Sequence, residues 1–323
     1  MSSKRTRVLI FIILALVAIF IFSATNASAE GTAVAPDGSE SSLPWWGWPL
    51  ILFVLCFALG IVAVLGGVGG GVLFVPIVGS FFPFNLDFVR GAGLLVALAG
   101  ALAAGPGLLK KGLADLRLAL PVALIASSMA IIGALVGLSL PENVTKTALG
   151  GTILGIVVIM LLAKKSEYPD VGKADSVSSA LRITGVYHEP STGQDVDWKV
   201  HRTPQGLITF VLIGFMAGMF GLGAGWANVP VLNLMMGAPL KVSVATSKFL
   251  LSITDTSAAW IYFNKGAVIP MIVVPSIIGI MIGSIIGVRL LAVAKPKAVR
   301  WIVIIMLTFA GARALLQGLG WWK

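Results

Sequence analysis

The stretch Gly67-Val68-Gly69-Gly70-Gly71-Val72-Leu73-Phe74-Val75-Pro76 returns later as Gly221-Leu222-Gly223-Ala224-Gly225-Trp226-Ala227-Asn228-Val229-Pro230. Both follow G-x-G-[GA]-G-x-x-x-V-P, and the offset is 154 residues (221 − 67). The same offset pairs Leu86 with Leu240, Lys111 with Lys265, Gly112 with Gly266, Pro121 with Pro275 and Gly133 with Gly287, without a gap. One Gly/Pro match in a Gly-rich chain is chance. A register held this far is an internal duplication.

Composition says where such a duplicated unit lives. Of 323 residues, 58% are hydrophobic and 11% charged, 38 are Gly, and the mean hydropathy is +1.00. Soluble domains carry about 25% charged residues, so a soluble enzyme, a coiled coil and a disordered chain are excluded. Apolar runs of about 20 residues recur, each long enough to cross a bilayer. The strict alternation of a membrane β-barrel is missing. The fold class is therefore all-α: a polytopic helical membrane protein. The net charge of +10 sits mainly in short runs between apolar segments, as topology signals do, and gives no reason to expect nucleic acid. Cys56 is the single cysteine, so no intrachain disulfide forms. His188 and His201 share no metal-ligand spacing, and neither a metal nor any other cofactor is expected.

Residues 1–29 read as a targeting segment. Lys4, Arg5 and Arg7 precede an apolar core, and Ala27-Ser28-Ala29 forms an A-x-A pattern; an uncleaved first helix is the other reading. The first membrane repeat is placed at 45–162, with apolar segments at about 45–66, 69–82, 89–109, 116–138 and 144–162. A polar linker at 163–204, holding six basic and six acidic residues, leads to a second repeat at 205–316. Its segments fall at about 205–222, 225–236, 242–263, 267–291 and 298–316. Five crossings per repeat make the second inverted relative to the first. With the acidic stretch 30–43 outside, Lys110, Lys111, Arg117, Lys164, Lys165, Lys295, Lys297 and Arg300 fall inside, as the positive-inside rule asks, with Lys265 on the external side a minor violation.

Inverted repeats with paired short, Gly/Pro-interrupted segments are an architecture of secondary transporters, whose site lies at the interruptions. Glycine lets a backbone unwind or approach closely, and Pro76 and Pro230 each free a carbonyl one turn back. Unwound backbone at membrane depth is tolerated only in a protein interior or beside a wet cavity, and a helix starting there aims N–H groups at an anion. The candidate substrate contacts are Gly67, Gly69, Gly71, Pro76, Gly221, Gly223, Gly225, Asn228 and Pro230. The competing reading is close helix packing through small residues.

The segment 242–263 differs in kind. Ser243, Thr246, Ser247, Lys248, Ser252, Thr254, Asp255, Thr256 and Ser257 interrupt it, and Asp255 is the only acidic residue after Asp197. An Asp or Lys at mid-membrane costs about 2.5–3.5 kcal/mol on insertion scales, so it faces the interior and has a task. Lys248 and Asp255 fall on one helix face. Thr246, Ser247 and Lys248 join the substrate set, with Lys248 as counter-charge, and Asp255 is the coupling residue. A structural Lys248–Asp255 pair is the alternative. Their counterparts in the first repeat are Ala92, Gly93, Leu94 and Ala101, so the polar lining comes from the second half. Arg90 lies near a segment end, where snorkelling to the headgroups and ligand contact are both open. Trp45, Trp46, Trp48, Trp321 and Trp322 read as interfacial anchors. In the linker, Tyr187-His188-Glu189-Pro190 and Trp198-Lys199-Val200-His201 could make a small hairpin or a docking surface, and a solvated loop is the preferred reading.

The duplicated glycine motif, followed by Pro239 and Ala245-Thr246-Ser247, resembles the sulfite exporter TauE/SafE family over residues 48–316. The resemblance implies a multi-pass transporter in the cell (inner) membrane. Its substrate would be a small sulfur-containing or organic anion, such as sulfite, sulfoacetate or a related sulfonate. Lipid and the small anion are then the partners, and a homo-oligomer is left open. The missing Thr-Ser pair at Ala92-Gly93 departs from the family pattern. An uncoupled anion channel and an assembly factor acting through the linker are the other functions weighed; an enzyme is not expected, for want of a nucleophile–base pair.

Overall fold

The computed structural model describes residues 46–66, 69–109, 114–162, 169, 171–172, 174–189, 194–290 and 296–321. The targeting segment 1–29, the stretch 30–43, Trp45, Gly67, Lys110, Lys111, Lys164, Lys165, Lys295 and Trp322 lie outside them. With no water to bond to in lipid, each apolar run must satisfy its backbone internally, and all ten expected segments are helical. The first half holds α1 (Gly47–Gly66), α2 (Gly70–Phe81), α3 (Leu86–Leu109), α4 (Leu116–Ser139) and α5 (Glu142–Leu162). The linker carries α6 (Ser176–Ala180), β1 (Thr184–Glu189) and β2 (Gln194–Lys199). The second half holds α7 (Thr203–Phe220), α8 (Gly225–Pro230), α9 (Leu240–Asn264), α10 (Pro270–Leu290) and α11 (Pro296–Gly318). Among the described residues, six helices are long and apolar enough to cross a membrane: α1, α3, α4, α5, α7 and α10.

The duplication recurs in the helix starts. Leu86, Leu116 and Glu142 begin helices, and so do Leu240, Pro270 and Pro296, each 154 residues on. It recurs in the contacts too. A Cβ added at Gly60 would stand 2.7 Å from the Ile280 carbonyl oxygen, and one at the equivalent Gly214 2.3 Å from that of Ala126. Gly133 faces Phe215 as Gly287 faces Ile61. Hence α1 lies along α10 just as α4 lies along α7, each half lending its first helix to the other half's fourth. Both pairs run parallel, and small residues let their backbones touch, the way helices associate where lipid removes the hydrophobic drive.

Each half opens with a hairpin whose arms are unequal. α1 has 20 residues and extends about 30 Å, whereas α2 has 12 and extends about 18 Å. The two ends meet again: the Trp48 ring packs edge-on against Phe82 and Phe84, with centroids 5.8 and 5.5 Å apart. Trp48 is thus a clasp inside the protein, whereas Trp46 and Trp321 are exposed. In the second half the His201 N–H donates to the Met236 carbonyl at 2.9 Å, closing α7 against the end of the returning arm. That arm is α8 continued by a π-helical turn, Val231–Met235. Pro230 supplies a reason, since it has no N–H for the Trp226 carbonyl and the ladder reorganises past it. The Asn233 side-chain amide then donates to the Ala238 carbonyl at 2.8 Å, holding the exit toward α9.

The linker forms an antiparallel hairpin rather than the preferred solvated loop, in register Thr184↔Lys199 through Glu189↔Gln194, with Trp198 buried over Gly185. Asp175 fastens it to the membrane unit. Its carboxylate accepts the Ser178 N–H at 2.6 Å, capping α6, and the Thr203 N–H at 2.5 Å, at the start of α7. Partial burial works to raise the Asp175 carboxyl, but those N–H donors outweigh it and hold it below the ordinary carboxylate range. A carboxyl lowered on folding stabilises the protein above its unfolded value, and that stabilisation fades as pH falls through the folded one. Asp175→Ala is therefore expected to cost about 0.5–2 kcal/mol at neutral pH, as lost caps do. The difference in melting temperature from the parent should shrink on acidification; a gap constant from pH 7 to pH 3 would contradict this account.

Candidate functional site

The two glycine motifs meet. A Cβ added at Gly225 would stand 3.1 Å from both the Cα and the N of Gly69. One at Gly71 would stand 2.6 Å from the Leu222 carbonyl oxygen, and one at Gly93 would stand 2.6 Å from that of Gly221. Close packing thus explains these glycines geometrically, and it does so inside the protein rather than on a lipid face. Gly67 lies outside the described residues. Pro76 is buried within α2, and Pro230 is half-buried at the end of α8.

Between α7 and α8 the chain leaves helical geometry. Gly221 and Gly223 both take φ +68°, a left-handed value that ends α7 and turns the chain toward α8. Asp255 of α9 lies against this break. It is 0% exposed, and a Cβ at Gly223 would stand 2.9 Å from one carboxylate oxygen and 3.3 Å from the other. Among the described residues no side chain pairs with either oxygen; the backbone N–H of Ala224 is the donor facing the carboxylate. Lys248, two turns earlier on α9, is half-buried and acts on Asp255 through its field. Among the described residues no direct ion pair joins them.

The other polar residues divide. Asn228, one turn into α8, is 1% exposed, and among the described residues neither its oxygen nor its nitrogen has a partner; the Thr254 hydroxyl and the Trp226 indole nitrogen are likewise buried without one. Buried polar atoms of this kind are uncommon in folded proteins. Ser247 is buried beside Lys248. Thr246 is committed elsewhere: its hydroxyl oxygen accepts the Asp115 N–H at 3.2 Å, while the Asp115 side chain caps α4 by accepting the Leu118 N–H at 2.7 Å. A cavity of about 310 Å³ abuts the second motif, bounded by Trp226, Ala227, Pro230 and Val231 and by α5 and α7. Its lining is apolar apart from Thr152, Thr209 and the indole of Trp226.

Arg90 corrects the expectation of a side chain that snorkels to the headgroups. It is 1% exposed, and its Nη1 donates to the Met219 carbonyl at 2.9 Å. Its Nη2 pairs with Asp87. The Tyr262 hydroxyl serves the same helix end, donating to the carbonyls of Gly218 at 3.0 Å and Met219 at 3.2 Å. The last carbonyls of a helix have no intrahelical donor and carry its negative pole, which a buried guanidinium and a phenol satisfy here. Tyr262 drew no notice in the sequence, because nothing local relates it to α7, 43 residues away. Arg313 is likewise drawn inward, its guanidinium carbon 4.3 Å from the Phe81 ring centroid.

A duplicated helical bundle, with short interrupted helices meeting in its interior and one buried carboxylate beside the break, is the build of a multi-pass membrane transport protein. The chain belongs to the sulfite exporter TauE/SafE family, whose profile matches residues 52–314. A relative named probable membrane transporter protein YunE, from Bacillus subtilis (strain 168), is 24% identical over 277 residues, 84% of this chain and 98% of that protein. A second, probable membrane transporter protein ORF9 of Sinorhizobium sp, is 24% identical over 257 residues, 79% of this chain and 87% of its own length. No solved structure matches.

The break can be probed by comparing two left-handed glycines. Gly266 has φ +70° with nothing within 4 Å of an added Cβ, whereas Gly223 has φ +68° with Asp255 at 2.9 Å. Alanine at either site meets the same left-handed strain, about 1–2 kcal/mol. Only Gly223→Ala also pushes on Asp255, so its melting temperature should fall clearly below that of Gly266→Ala. Equal losses would show that Gly223 serves the turn alone.

Proposed function

We propose that the chain is a secondary transporter of a small sulfur-containing or organic anion, such as sulfite, sulfoacetate or a related sulfonate, and that Asp255 couples transport to protons. One observation carries this reading: a fully buried carboxylate, without a side-chain partner among the described residues, lies against the break where the two glycine motifs meet. A carboxylate in so dry a place is costly unless something accompanies its charge, and a proton is the smallest companion. In the proposed cycle the glycine break lends backbone N–H groups to the anion. Asn228 and Ser247 add polar contacts, and Lys248 supplies positive potential in a low dielectric, where charge acts strongly. Asp255 offsets that potential between substrates and takes up the coupling proton. Gly223, which lies against it, carries no charge, and among the described residues Lys248 is the charged neighbour that acts on it.

The proposed setting is the cell (inner) membrane. The two halves are inverted there, with the N-terminal stretch outside and the 110–117 loop, the linker and the 295–300 cluster inside. The unequal hairpins keep this sidedness, because each returns to the face it left. Single cysteines placed in the linker, in a Cys56→Ala background, should react only from the inside; labelling from outside would overturn the arrangement.

The roles of the two charges are separable in proteoliposomes loaded for sulfite uptake. Lys248→Met is expected to weaken anion binding at least tenfold, read as a raised KM. Asp255→Asn should retain binding and lose the dependence of uptake on a pH gradient. If the two charges merely balance each other, each single change destabilises the protein and the double change restores folding and transport together. A fully active, pH-responsive double variant would overturn the proposal.

A further inference from the structure

Four helices converge on the Arg90 guanidinium, and the convergence lies at one end of the break that Asp255 faces. Arg90 belongs to α3, its pairing partner Asp87 lies one turn earlier, and Asp87 keeps 42% of its side chain exposed. From α9, the Tyr262 ring stands 5.8 Å from the guanidinium carbon. From α4, Gly137 leaves room for it: a Cβ there would stand 2.9 Å from Nη1. From α7 comes the Met219 carbonyl, and just beyond it the chain packs on the backbone of Arg90 itself, since a Cβ at Gly221 would stand 2.3 Å from the Arg90 carbonyl oxygen. Two residues beyond Gly221, Gly223 meets Asp255. The path from guanidinium to coupling carboxylate is therefore a few residues of backbone. It joins α3 and α4 of the first half to α7 and α9 of the second.

We propose that Arg90, with Asp87 and Tyr262, is a positioning latch: it fixes the carboxyl end of α7, and through Gly221 sets the break against Asp255, so that its release exposes the break from that end. Two physical points support a latch over an inert cap. A neutral donor would satisfy the Met219 carbonyl alone, as Tyr262 already does, whereas a guanidinium at this depth is costly and needs a further reason to be kept. Its counter-charge is also the half-exposed member of the pair, so the ion pair can be exchanged for water from the surface while the arginine stays inside. Opening a path between the halves must part α3 from α7, and these bonds are what resist it.

The proposal rests on the functional reading for what the break does, but its test does not require the substrate to be known. In the full-length protein with Cys56→Ala, a cysteine at Leu222→Cys reports exposure of the break to a membrane-impermeant thiol reagent. Asp87→Asn and Tyr262→Phe should each raise its labelling rate about fivefold or more. Arg90→Met should do so further, and Arg90→Lys should lie between the parent and Arg90→Met. In sulfite uptake, Asp87→Asn should change KM and maximal rate by different factors, because it shifts the balance of closed and open forms instead of removing a ligand contact. Unchanged labelling in Asp87→Asn and Tyr262→Phe, with a lowered melting temperature as the whole effect, would overturn the latch and leave a structural cap. If labelling responds as stated while no anion drives uptake, the latch stands and the substrate assignment falls.

Discussion

Everything in this bundle is arranged around how closely two backbones can come where Gly69 meets Gly225. At that contact each chain has just left a long helix and is about to enter a short one, so neither can shield its polar groups by its own helical bonds. In lipid such a stretch survives only if protein covers it. The parallel pairs α1–α10 and α4–α7 provide the cover, and they can do so because their own interfaces are cut down to small residues. Adding a side chain at Gly133, Gly218 or Gly283 would put a carbon 2.0–2.1 Å from a carbonyl oxygen of the opposite helix. The outer interfaces are tight so that the inner one can be.

Packing repeats between the halves, whereas the buried charges of Asp255 and Arg90 do not. Asp255 has Ala101 as its counterpart, and Arg90 has Val244. The first half thus supplies the guanidinium that holds the second half's break, and the second half supplies the carboxylate that lies against it. Duplication sets the geometry twice; each charge needs to be placed only once, since a second buried charge would add its own cost of desolvation. That division accounts for the missing hydroxyl pair at Ala92-Gly93: the first half's α3 contributes backbone and small side chains to the contact, with Gly93 lying under the Gly221 carbonyl oxygen.

Membrane burial, helix number and the duplication were legible in the chain because each is a local or periodic property: an apolar run long enough to span, a proline at a fixed offset, a register of 154. The same is true of the isolation of Asp255, which one reading of the charges along the second half exposes. The interior placement of Arg90 could not be read this way. Sequence position puts it near a helix end, where a long cationic side chain ordinarily reaches for water, and only the arrival of the α7 carboxyl end from 129 residues away gives it an interior partner. Thr246 is a similar case, since its hydroxyl is used by Asp115 across the bundle. The interrupted helix was visible as glycines and a proline, but the path through it depends on what stands opposite each residue. Backbone conformation follows from the residue itself; the burial and pairing of a charge follow from what the rest of the fold brings to it.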